Sequence, residues 1–310
     1  MFGWTRASAI AEPAAGHPAA EAPAWPRATD AERRVATSDR RRSRGRVRTA
    51  TGWLGLLIVL GFLVVAALAD VLAPADPLVP VGPPLAPPSA AYRMGTDDLG
   101  RDLLSGLVYG VRTTVLVALL VGLIVLPLGV GVGAAAGARG GRLDDLLMRL
   151  SEFWQVLPRF FLAMMVIALF GPGLDRIVLV LALTSWVLLA RVVRAEILSV
   201  RERQFVEAAR ALGCSELRIL LRHMLPHALP ATIVYFALLI AQVILVEASL
   251  GFLGLGDPNA ISLGYLASQA QGFLRVAWWL WFFPGAALIL VVIGLNLVAD
   301  AINDSLPPRR

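Results

Sequence analysis

Long charge-free runs set the pattern of this chain. Residues 113–138 separate Arg112 from Arg139, and residues 276–299 separate Arg275 from Asp300. At about 1.5 Å of rise per residue, either run as a helix exceeds the ~30 Å hydrocarbon core of a bilayer. The runs are continuously apolar rather than alternating, which excludes the strands of a closed barrel and leaves helices. Six spans are expected, at about 52–73, 113–137, 154–173, 176–196, 227–253 and 277–300. Arg159 interrupts the third, and the fourth is charge-free only between Arg176 and Arg191. The expected fold is all-α, a polytopic membrane protein with six transmembrane helices. Pro127, Pro158 and Pro284 fall inside spans, where each can kink a helix or relieve packing.

Composition agrees with the pattern. The chain is 57% hydrophobic and 16% charged, with a mean hydropathy of +0.71. Its 28 basic residues are all arginine. A sequence pI near 10.5 suits nucleic acid as a partner, but the distribution of arginines points to a lipid bilayer instead. With the N-terminus inside, the inner segments 40–48, 138–149, 191–222 and 301–310 hold eighteen arginines. The outer segments 74–112, 171–176 and 255–275 hold five. Both termini are therefore expected on the cytoplasmic side of a plasma membrane. The one cysteine, Cys214, excludes an intrachain disulfide.

Three regions follow along the chain. Residues 1–50 are rich in Ala, Pro and Arg without apolar periodicity, and are expected to be a disordered cytoplasmic tail ending in the basic cluster Arg40–Arg48. Residues 51–93 form the first span and a Pro-rich outer linker. Ala67-Leu68-Ala69 mimics a signal-peptidase site, but a fifty-residue tail before the apolar core argues for an uncleaved span. Residues 94–308 hold the remaining spans and a charged inner loop at about 197–226. Within the outer segment, Arg101–Arg112 is expected to be a short amphipathic surface helix capped by Thr96 or Asp97. Asp97, Asp98 and Asp102, interleaved with Arg101, are expected to form a solvated structural turn rather than a cation site.

The inner loop carries the most specific signal. Residues 201–212 lack Pro and Gly and suit a helix, and Gly213 stands where a left-handed residue would end it. Ser215 can cap a second helix over 216–223, and Pro226 is expected to break the chain before the fifth span. Ala208, Ala209 and Ala211 would allow another surface to approach closely, while Arg203, Glu207 and Arg210 would orient it. Glu247 lies in an otherwise apolar span, where a charge costs ~2.5–3.5 kcal/mol on insertion scales and must face protein or water. It suits a pathway or gate residue and equally a hydrogen-bonded contact between helices. His223 and His227 lie four apart, but Pro226 disrupts the helix between them and no third ligand follows, so no metal is expected. A phosphate-cradling G-x4-G-K-[ST] loop requires lysine, and the chain has none. No nucleophile–base pair suggests catalysis.

The loop segment Glu207-Ala208-Ala209-Arg210-Ala211-Leu212-Gly213, closed by Leu225-Pro226, resembles the EAA loop by which membrane subunits of ABC importers grip their ATPases. The resemblance extends through Gly95-Thr96-Asp97-Asp98-Leu99-Gly100-Arg101-Asp102, Tyr109-Gly110, Gly140-Gly141 with Asp144, Gly171-Pro172-Gly173, Phe252-Leu253-Gly254-Leu255-Gly256 and Phe283-Pro284-Gly285. Over about residues 94–308 the chain is similar to the C-type permease of the dipeptide/oligopeptide/nickel importer family. It departs at Gly106, His227 and Gly251, and lacks a tryptophan beside Leu263-Gly264. With the outer loop 257–275 altered, no substrate or binding-protein specificity is carried over from the family.

The resemblance implies a type I ABC importer permease fold, with 94–308 as the permease core and the loop residues Arg203, Glu207, Ala208, Ala209, Arg210, Gly213, Leu225 and Pro226 docking an ATPase. It implies a bacterial inner-membrane, multi-pass subunit that forms half of a pathway for peptides or related solutes. The implied partners are a homologous second permease, two cytoplasmic ATPase subunits and an extracytoplasmic solute-binding protein. ATP would be bound by those partners, leaving this chain without a cofactor. The alternative is an ion-coupled secondary transporter, which would need several embedded ionisable groups and an inverted repeat. Only Glu247 is a clear candidate, and no repeat is visible.

Overall fold

A computed structural model describes residues 51–156 and 158–305. The predicted tail, with Arg40–Arg48, and the terminal Arg309 and Arg310 lie outside the described residues. Helix α1 covers Thr51–Ala67, and after a one-residue turn α2 covers Ala69–Leu72. The chain then crosses an irregular segment into α3, Leu103–Arg139. A turn with positive φ at Gly140 and Gly141 leads to α4, Gly141–Val156, and α5, Arg159–Phe170. Next come α6, Leu174–Arg201, the loop helices α7, Gln204–Ala211, and α8, Glu216–Ile219, and then α9, Leu225–Phe252. The short α10, Leu263–Gln269, precedes the last helix, α11, Trp278–Ser305.

Among the described residues, four helical stretches are long and apolar enough to cross a membrane: α3, α6, the continuous run Glu216–Phe252, and α11. Taken together as one broken span, the bent pair α4–α5 would make a fifth. α1 is also apolar and shorter. The third predicted span differs most. Instead of one helix over 154–173, α5 has 12 residues, about 18 Å, and meets α4 at 72°. Pro158 stands at the N-cap of α5 because its ring and missing N–H prevent α4 from continuing.

The expected surface helix at 101–112 is instead the first turns of α3. Nothing between Arg112 and Thr113 breaks the helix, and the cap is neither Thr96 nor Asp97 but Asp102. Its Oδ2 accepts from the Ser105 backbone N–H at 2.8 Å and from the Ser105 hydroxyl at 2.7 Å. Thr96 and Asp97 are occupied in the preceding turn, where the Thr96 hydroxyl donates to the Pro83 carbonyl at 2.7 Å. Asp97 and Asp102 are buried rather than solvated.

The core lies between α3 and α6, which run parallel: Gly129, Gly133 and Gly137 meet Leu189, Val193 and Ile197 in turn. Gly129, Gly133 and Gly137 recur every fourth residue and present one glycine-lined stripe. A Cβ at Gly133 would fall 2.3 Å from the Ala190 carbonyl oxygen, so only glycine permits this approach. Leu181, Leu189, Val193 and Ile197 of α6 fill the seam and are fully buried.

Candidate functional site: the loop between α6 and α9

After α6 ends at Arg201, residues 202–203 turn the chain and α7 begins. α7 is amphipathic, and its buried residues are Val206 and Ala209. They join a cluster with Ile219, Met224 and Ala228, which fastens the loop to the helix ends. Ala209 therefore does not belong to the outward surface assigned to it with Ala208 and Ala211. Its position three residues from Val206 puts it on the inner stripe. Arg203, Glu207, Ala208, Ala211, Leu212 and Gly213 are exposed. Leu212, 84% exposed, is an apolar side chain with no cover from its own chain.

Gly213 has φ +77°, as expected of a residue ending α7 in the left-handed region. Its N–H donates to the Arg210 carbonyl at 2.9 Å, and the Cys214 N–H to the Ala209 carbonyl at 3.1 Å. This is the paired hydrogen bonding of a Schellman turn. The turn sets α8 beside α7, and Arg210 then forms a fork with Glu216 at 2.9 and 3.3 Å. Arg210 thus clamps the helix–turn–helix internally. Ser215 precedes α8 in an extended conformation, without a side-chain cap.

Pro226 does not break the chain. Residues Leu220–Met224 form a π turn, and the Leu225 N–H reaches back five residues to the Leu220 carbonyl. The wider turn lets the helix absorb a residue that lacks an N–H, so α8 runs into α9 without interruption. Leu225 is half-buried and Pro226 exposed. Phe205 of α7 stacks on His227 of α9 with centroids 4.9 Å apart, and His227 Nδ1 lies 2.6 Å from the His223 carbonyl. These contacts make α7, the turn and the start of α9 one rigid projection.

Glu247 lies toward the opposite end of α9 and is 2% exposed. The Thr114 hydroxyl of α3 donates to Glu247 Oε2 at 3.1 Å and accepts from the Leu263 N–H at 3.4 Å. α3, α9 and α10 meet there, with Gly264 against the Ala248 carbonyl. The structure does not bring Glu247 near the loop.

One feature escaped the sequence reading. Asp144 of α4 and Arg194 of α6 form a two-pronged pair at 2.5 and 2.6 Å near the loop end of the bundle. Asp144 was visible only as part of the family motif, with no sign of its partner fifty residues away.

Residues 129–310 match the family model described as a binding-protein-dependent transport system inner membrane component. The chain is 36% identical over 232 residues to a di/tripeptide transport system permease protein of Pseudomonas aeruginosa, covering 73% of this chain and 77% of that protein. It is 34% identical over 223 residues to a dipeptide transport system permease protein of Alkalihalophilus pseudofirmus, covering 72% and 73%. Among solved structures, an inward-facing form of the MetNI methionine ABC transporter aligns with a TM-score of 0.57 at 21% identity, covering 66% of this chain and 97% of that one. That likeness gives the type I ABC importer permease fold.

Proposed function

The chain belongs to the family of binding-protein-dependent transport system inner membrane components, and on that premise we propose that it moves short peptides across a bacterial inner membrane as one half of an ABC importer's pathway. It is the membrane permease subunit, and the ATPase is a separate subunit. The proposed substrate class rests on the peptide permeases it resembles. In this reading a homologous permease supplies the other half, two ATPase subunits bind the inner face, and a solute-binding protein delivers the peptide outside. Both termini lie in the cytoplasm, in keeping with the arginine asymmetry.

The observation that carries the coupling role is the rigid loop at 202–226. It is fastened to the core by Val206, Ala209 and Ile219, while Glu207, Ala208 and Leu212 face outward. A surface of small and apolar residues bordered by charges suits a cleft on a partner, with Arg203 and Glu207 orienting it. ATP-driven closure of the two ATPase subunits then moves the loop, and with it α6 and α9, which continue directly from it. Glu247 is proposed as a gate residue at the far end, where its bond to Thr114 joins α9 to α3.

The test is reconstitution. Purified chain alone should bind nucleotide no better than background. The four-part membrane complex with its binding protein should hydrolyse ATP and accumulate peptide in proteoliposomes. Saturable ATP binding by the isolated chain, or peptide accumulation without ATP, would contradict this division of labour.

A further inference from the structure

We propose that Arg159 receives the C-terminal carboxylate of the transported peptide inside the membrane, a role that rests on the importer reading above. Arg159 opens α5 directly after Pro158. Along α5 it stands about 17 Å from the helix's far end at Phe170. Its neighbour Tyr235 on α9 stands about 26 Å from Phe252 and about 15 Å from Leu225. Tyr235 therefore stands near the middle of the continuous run Glu216–Phe252, away from both of its ends.

Among the described residues this arginine has no counter-charge. The ion pairs there join Arg112 to Asp70, Arg176 to Asp175, Arg194 to Asp144 and Arg210 to Glu216. Glu247, the other ionisable group deep in a span, is spoken for by Thr114. Arg159 is half-buried, and Tyr235 of α9 lies near enough to interact with its charge. An unpaired arginine in a span is costly and marks a place where a charge is to be met. The planar fork matches a carboxylate, which every unmodified peptide carries at its C-terminus. The break before α5 also leaves the first N–H groups of that helix without intrahelical partners on the same side, favouring an anion there.

The experiment compares wild-type, Arg159→Gln and Arg159→Lys chains, each assembled with its partner permease, ATPases and binding protein in proteoliposomes. ATP-driven uptake is measured for radiolabelled dialanine and for dialanine amide. Arg159→Gln should lower dialanine uptake about tenfold or more relative to wild type, while the amide changes less than about twofold. Arg159→Lys keeps the charge but loses the planar fork, so its dialanine rate should fall between those of wild type and Arg159→Gln. Equal losses for both probes, lost assembly with the partner permease, or unchanged uptake of both would overturn the assignment. If the wild-type complex does not admit the amide, a dialanine analogue with a photoreactive C-terminal side chain decides. Cross-links to the segment holding Arg159 or Tyr235 that vanish in Arg159→Gln support the proposal, and cross-links elsewhere or unaltered by the substitution overturn it. A wild-type complex that accumulates no peptide with ATP refutes the importer reading itself, which is a separate failure.

Discussion

At Asp97 a carboxyl is withdrawn from water while its Oδ1 accepts the Leu99 N–H at 2.9 Å and the Arg101 N–H at 2.8 Å. Burial pushes its pKa above the usual carboxylate range, and the two backbone hydrogen bonds only partly offset this. A folded-state pKa above the unfolded one favours the protonated form in the fold. The resulting stability is present at low pH and is lost as pH rises through the folded pKa. Asp97→Asn keeps the accepting oxygen and cannot ionise, so it should flatten this dependence. Hydrogen-exchange protection of Leu99 and Arg101 should decline in wild type as pH rises above the usual carboxylate range and stay level in the variant. Wild-type protection that instead rises with pH there would contradict the assignment. The sequence pattern marks Asp97, Asp98 and Asp102 as polar and so as solvated. It cannot show that Trp279, 183 residues later, donates its indole N–H to the Thr96 carbonyl and helps close the turn.

At the scale of elements, α4 is packed inside out. Its buried residues are Asp144 and Ser151, while Leu146, Leu150 and Phe153 are 50–65% exposed. The Asp144–Arg194 pair holds its inward side to α6, and the outward apolar stripe is left for lipid or another subunit. Removing Asp144 strands a guanidinium that is one-third exposed, so Asp144→Ala should cost about 1–3 kcal/mol locally. Amides of residues 141–156 should then exchange faster, and Asp144→Arg combined with Arg194→Asp should recover most of the protection. Equal protection in wild type and Asp144→Ala would show that α4 is held by other contacts. The spans at 227–253 and 277–300 were legible because apolar length alone decides them. The break at Pro158 was not, because hydropathy sums over a window and hides where the axis turns. The glycine stripe of α3 was legible at its four-residue spacing but passed unread among many small residues. The π turn before Pro226 depends on hydrogen-bond register, which residue identity does not encode.

Across the whole molecule, one end of the bundle gathers the Gly140–Gly141 turn, the Asp144–Arg194 pair and the loop, and the other gathers α10, Glu247 and the turn around Asp97. Between them lies the broken helix with Arg159. This layout suits the proposed role of a subunit that receives force at one face and opens at the other. The loop motif itself was read directly from Glu207 through Gly213. Its inner face was not, since Ala208 and Ala209 are identical in sequence and only helical phase separates them. The central claim is that this loop grips an ATPase, and Gly213 tests it most directly. With φ +77° and no atom within 4 Å of an added Cβ, a valine there acts chiefly through backbone strain, about 1 kcal/mol or more. The measurement is retention of the ATPase subunits by affinity-purified chain, wild type against Gly213→Val, at matched membrane abundance. The account predicts that the variant inserts normally and loses most of its ATPase, whereas full retention by Gly213→Val would contradict it.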